Sequence, residues 1–131
     1  MAILSQTQKD ELESKLQRFS DGVDVQKIDD VFDEIFAQLG AVKSISCTLS
    51  ASSSLLIQAD AAPLAEVCVP RAKNVLRLMC ARLAVRCSEW AQREASPYHD
   101  SIEFERPDLR LSCRVRLENT PEVQRFEIAC V

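Results

Sequence analysis

The sequence predicts an α+β fold: a helical hairpin followed by a ββαβββ antiparallel sheet with one long central helix. Three observations carry that reading. From Val25 to Leu39 apolar residues recur at spacings of three and four, the period of a helix with one buried face. From Ile102 to Cys130 apolar and charged residues alternate, the pattern of half-buried strands. Between them, Arg71 to Glu94 reads as a helix with apolar side chains on two opposite sides. At about 100° per residue, Leu76, Met79, Cys80, Leu83, Cys87 and Trp90 form one stripe. Leu78, Ala81 and Val85 form a second stripe almost opposite, and Arg71, Arg82, Arg86, Glu89 and Arg93 lie in a charged strip between them. A surface helix needs only one apolar face, so this one is expected to pack on both sides. The sheet can take one side, and the N-terminal helices or a second subunit the other.

The first helix is expected from about Thr7 to Phe19, with Ser5 or Thr7 as N-cap and a narrow stripe of Leu12, Leu16 and Phe19. Gly22 breaks it. Asp24 caps the second helix, which buries Val25, Ile28, Val31, Phe32, Ile35, Phe36 and Leu39 and stops at Gly40. Asp29, Asp30, Asp33 and Glu34 are expected on its solvent side. Two strands follow. Ile45, Cys47 and Leu49 alternate with Ser44, Ser46, Thr48 and Ser50, and Leu55 to Ala59 returns as the partner. Ala61 to Pro70 has no clear period: Pro63 could open a helical turn, and Pro70 suits the first turn of the long helix.

Three strands complete the chain, around Ile102–Arg106, Leu109–Glu118 and Arg125–Cys130. A tight turn at Pro107-Asp108 would set Arg106 opposite Leu109 and Phe104 opposite Leu111. In the second hairpin, pairing Leu117 with Phe126 sets Arg116 against Glu127 and Glu118 against Arg125. A shift by two would oppose Arg116 and Arg125, so charge favours the first register. The hydroxyl strip Ser44, Ser46, Thr48 and Ser50 carries no charge, and is expected at a sheet edge, half covered, paired with another subunit or open to a ligand.

The chain has 131 residues, 47% of them hydrophobic, with only two glycines, which fits one domain. Residues 1–40 form its helical hairpin and 41–131 its sheet and central helix. Met1-Ala2-Ile3-Leu4 has neither the basic start nor the apolar run of a signal peptide. No run is apolar for the ~20 residues a spanning helix needs, so a cytoplasmic protein with no membrane association is expected. The net charge of −4 is uneven: residues 1–65 carry five basic and ten acidic side chains, residues 66–131 eleven and ten. Arginines interleaved with glutamates favour ion pairs within the chain or between subunits over nucleic-acid binding, which needs a basic excess on one face.

The layout is similar to that of profilin-like, roadblock and longin domains, though no motif is shared. The likeness implies helices packed on a five-stranded antiparallel sheet, and a protein that dimerises or binds GTPases or other partners. The sequence departs from roadblock proteins in ending on a strand and in lacking a glycine at the first hairpin. Acidic type III secretion chaperones are similar in size and charge but differ in strand order.

Chemical motifs are sparse. The six cysteines, Cys47, Cys68, Cys80, Cys87, Cys113 and Cys130, include no pair spaced for zinc. Five fall at core positions and read as reduced small hydrophobes, with Cys68 left as the candidate reactive thiol. His99 stands beside Tyr98 and Asp100, where a carboxylate could orient it as a base, but no nucleophile motif accompanies it. Two glycines cannot build a phosphate loop. The expectation is therefore a non-catalytic interaction or scaffold protein without cofactor or metal, self-associating and binding a protein partner of unspecified identity. Its interface would involve Leu78, Arg82, Val85 and Arg86. The alternative is a small-ligand sensor with a pocket between sheet and central helix, lined by Trp90, Phe104 and Phe126.

Overall fold

A computed structural model describes residues 4–131. Met1–Ile3, most of the segment read above for a signal peptide, lie outside the described residues. Helix α1 (Gln6–Gln17) starts on a reciprocal cap: Ser5 Oγ accepts from the Gln8 backbone N–H, and the Gln8 side chain accepts from that of Ser5. It buries Leu12 and Leu16 and runs into a 3-10 turn, Arg18–Asp21, that buries Phe19. Gly22 then adopts φ 110°, a conformation side chains resist, and redirects the chain. Helix α2 (Val25–Gln38) is capped by the Asp24 carboxylate, which accepts from Lys27 N–H at 2.8 Å.

The strands are β1 (Ser44–Leu49), β2 (Leu55–Ala59), β3 (Ala62–Val67), β4 (His99–Arg106), β5 (Leu111–Asn119) and β6 (Gln124–Cys130). Helix α3 (Ala72–Ala91) separates β3 from β4. The sheet order is β3-β2-β1-β6-β5-β4, antiparallel throughout. Thus α3 carries the chain from one sheet edge to the other, and β5 and β6 step back until the last strand pairs with β1. Alternate residues from β1, β2, β4, β5 and β6 join the apolar faces of all three helices in one core. The opposite face of the sheet carries the polar alternates.

Three features differ from the sequence reading. The sheet has six strands, because Ala62–Val67 is a strand and not a helical turn. Asp60 and Ala61, at φ 50° and 66°, make the two-residue hairpin turn into it. The Asp60 carboxylate secures that turn by accepting from the Lys43 and Ser44 N–H groups at 2.9 and 3.0 Å. A bulge at Ile57/Gln58 interrupts the alternation, and Pro63 is tolerated because β3 is an edge strand. Second, β1 lies inside the sheet between β2 and β6, so Ser44 to Ser50 is not an edge.

Third, Arg106 faces Leu111 and Phe104 faces Cys113. Pro107–Leu109 forms a 3-10 turn and Arg110 takes φ 56°, which widens the loop by two residues. The Arg106 guanidinium holds that loop by donating twice to Asp108, at 3.2 and 3.0 Å. In the β5–β6 hairpin, Leu117 faces Phe126, Arg116 faces Glu127 and Glu118 faces Arg125, as charge complementarity requires.

Candidate functional site

Helix α3 has one covered side and one open one. Leu76, Met79, Cys80, Leu83 and Cys87 are buried, while Leu78 and Val85 remain 51% and 50% exposed with the exposed Ala81 between them. The N-terminal hairpin meets this helix through Phe36 against Trp90 and through ion pairs along its flank. There the Asp29 carboxylate accepts from Arg82 Nε and Nη2 at 2.9 and 2.8 Å, and Arg86 Nη1 lies 3.3 Å away. The Arg82 hydrogen bond holds the Asp29 carboxyl below the usual carboxylate range against the opposing effect of burial. The expectation that the acidic row of α2 faces solvent is corrected: Asp29 pairs with α3, and Asp30 and Glu34 pair with Arg18 and Lys15 at 3.2 and 2.7 Å. The buried Gln38 adds a link the sequence reading missed, donating to the Gln8 carbonyl and to Glu34 at 2.9 and 2.8 Å.

The aromatic residues assigned to a ligand pocket do not line a common space. Trp90 stacks on Phe104 at 5.2 Å, and Phe36 meets Trp90 edge-on at 5.0 Å. The Arg86 and Arg106 guanidinium carbons each lie 4.7 Å from the Trp90 ring centre. Phe126 packs instead against Phe32, at 5.6 Å. These rings satisfy one another.

A concavity of about 420 Å³ lies on the other, polar face of the sheet. Its floor follows the strand register. Gln58, Ser46, Glu127, Arg116 and Ser101 form one row across five strands, and Thr48, Arg125, Glu118 and His99 lie in the next. Arg125 and Glu118 bond each other across the hairpin. Arg116 and Glu127 stand directly opposite yet form no ion pair among the described residues. Ser46 and Thr48 of the uncharged hydroxyl strip noted in the sequence form one wall of this hollow. The strip's central position in the sheet was not revealed by the sequence.

His99 is exposed at the rim, and among the described residues no carboxylate orients it. The neighbouring Asp100 is committed to Arg93, at 3.2 and 3.3 Å, and to the Ser96 and Ser101 N–H groups at 2.9 and 2.8 Å. Arg93 and these donors hold its carboxyl below the usual range. Glu103 lies 3.7 Å from Arg114, and Glu105 accepts from the Ser112 hydroxyl at 2.8–2.9 Å. All six cysteines are free thiols: Cys47, Cys80, Cys87 and Cys113 buried, Cys130 half-buried, Cys68 exposed. Among the described residues no helix is long and apolar enough to cross a membrane. No protein-family model matches the chain, and no curated protein matches it.

Proposed function

We propose that this is a non-catalytic interaction or scaffold protein of the cytoplasm that works as a homodimer, with the open side of α3 as its two-fold contact. The observation that carries the reading is the pair Leu78 and Val85, half exposed and two turns apart around the small Ala81. Two α3 helices crossing antiparallel at Ala81 would set Leu78 of each against Val85 of the other, the self-complementary arrangement of a two-fold interface. The same pairing would bring Glu89 of one copy near Arg77 of the other. Arg82 and Arg86 already share Asp29 within the chain, so burying the contact would not strand an unpaired charge. An exposed Cys68 among five other free thiols suits a reducing compartment.

Sedimentation at micromolar concentration tests the proposal. The wild type is expected as a dimer, and Leu78→Glu with Val85→Glu as a folded monomer that still unfolds cooperatively, at a midpoint lowered by no more than the lost association accounts for. A wild type that stays monomeric at high concentration overturns the dimer. A double variant that stays dimeric overturns the assigned surface.

A second reading, a small-ligand sensor, is favoured by the hollow on the polar face of the sheet. Its Arg116 and Glu127, without an ion pair among the described residues, lie side by side, walled by Ser46, Thr48, Gln58 and Ser101. A guanidinium beside a carboxylate complements a zwitterion that carries both an anionic and a cationic group, such as a free amino acid.

A further inference from the structure

Cys113 on β5 and Cys130 on β6 occupy directly opposite positions in the antiparallel ladder. Two hydrogen bonds identify which kind of pair this is. The Val131 N–H donates to the Ser112 carbonyl at 2.8 Å, so the hydrogen-bonded pair is Ser112–Val131, one step along. The Cys130 N–H points the other way and donates to the Lys43 carbonyl at 2.8 Å. Cys113–Cys130 is therefore a non-hydrogen-bonded pair, the class in which Cα atoms approach to about 4.5 Å and side chains stand closest. That separation falls within the range of about 4.4–6.8 Å that a disulfide spans. Both side chains lie on the helix-covered face of the sheet, and both thiols are free.

We infer that Cys113 and Cys130 form a reversible cross-strand disulfide, a modification site whose oxidant is a small disulfide such as glutathione disulfide. Cys130 is the entry point because it is half-buried, whereas Cys113 is buried and its thiol is pushed up to about 11 by desolvation. The Cys130 thiolate attacks one glutathione sulfur, forming a mixed disulfide and expelling one glutathione thiolate. Cys113 then gives up its proton to solvent and attacks the Cys130 sulfur, closing the intramolecular bond and releasing the second glutathione. Two protein thiols are oxidised, and one glutathione disulfide is reduced to two thiols. Closure also ends the contact in which the Cys130 thiol donates to the Leu39 carbonyl at 3.3 Å, tying the redox state to the C-terminal end of α2.

The test uses full-length Cys68→Ser protein, which removes the exposed thiol and leaves five of the six. It is equilibrated with glutathione disulfide, quenched with acid, and its free thiols are counted after denaturation. Peptide mapping without reductant follows. The expected result is loss of two thiols, one linked peptide joining Cys113 to Cys130, and full recovery of thiols on adding reduced glutathione. Cys130→Ser in the same background should retain its four remaining thiols. A stable glutathione adduct on Cys130 that never closes would overturn the inference. So would a bond from Cys113 to Cys87, or five thiols that persist after prolonged exposure to the oxidant.

Discussion

The two faces of the sheet are built from alternate residues of the same strands, yet they hold charge to different degrees. On the helix-covered side Asp29, with a side chain only 16% exposed, is held by two arginines, and Arg106 lies over Phe36 and Trp90 while bonded to Asp108. On the open side Arg125 and Glu118 do pair across the hairpin, but Arg114 and Glu103 approach only to 3.7 Å, and Arg116 and Glu127 do not pair at all among the described residues. Burial explains the difference. A charge removed from water is costly unless it is hydrogen-bonded, whereas one left in water gains about 0–1 kcal/mol from a partner. The covered face is thus committed to stability, and the open face retains polar groups free to bind something else.

The most direct way to break this contrast is to cut into the covered face. Leu83→Ala and Phe104→Ala should each cost about 2–5 kcal/mol, since both side chains are buried and neither truncation lets its surroundings collapse fully. Urea denaturation midpoints measure this directly. Midpoints close to wild type would mean that the covered face is not the core.

A smaller effect is expected where the helices meet, at Asp29. Its folded-state pKa is depressed by Arg82, so the unfolded chain binds more protons at low pH and stability rises with pH across that window. The contribution is complete above the unfolded carboxylate value of about 3.9 and is lost as pH falls through that value toward the folded one. Asp29→Ala should cost about 1–3 kcal/mol at neutral pH, the range for hydrogen bonds to charged groups. It should also flatten the acid limb of stability against pH. Equal losses at neutral pH and at about pH 3 would show that the carboxylate charge contributes nothing.

Much of the covered side could be read from the chain, because burial there leaves a period. The α2 stripe from Ile28 onward, the Asp24 cap and the β5–β6 register all follow from spacing and charge and stand in the structure; Val25, expected in that stripe, is instead 55% exposed in the first turn of α2. What escaped was set by local geometry that ordinary residues hide. The turn into β3 uses Asp60 and Ala61 where glycine would have announced it, and the bulge beside Gln58 removes the alternation that marks a strand. The β4–β5 loop takes a 3-10 turn locked by Arg106 and Asp108, a side-chain bond that composition does not reveal. The hollow was the least legible feature. Ser46 and Thr48 are neighbours of Arg125 and Glu127 only because the last strand returns to pair with β1, a pairing between segments some eighty residues apart. The open side of α3 was legible as a second stripe, since exposed apolar residues repeat with the same helical period as buried ones.

The smallest expected change in stability sharpens the comparison most. Arg116 is exposed, central to the hollow and without an ion-pair partner among the described residues, so Arg116→Ala should alter folding stability by no more than about 0.5 kcal/mol. If the hollow takes a zwitterion, the same substitution removes the group that would receive its carboxylate. Equilibrium dialysis of the wild type against a panel of free amino acids should then find at least one bound ligand, and Arg116→Ala should lower its affinity at least tenfold, about 1.4 kcal/mol. Glu127→Gln should weaken the same ligand through its ammonium group and leave uncharged polar molecules unaffected. A stability loss approaching that of Phe104→Ala would make Arg116 part of the framework and end the contrast between the faces. A wild type that retains no amino acid at millimolar concentration would end the sensor reading, while leaving the dimer proposed through Leu78 and Val85 untouched, because that contact lies on the far side of the helical layer.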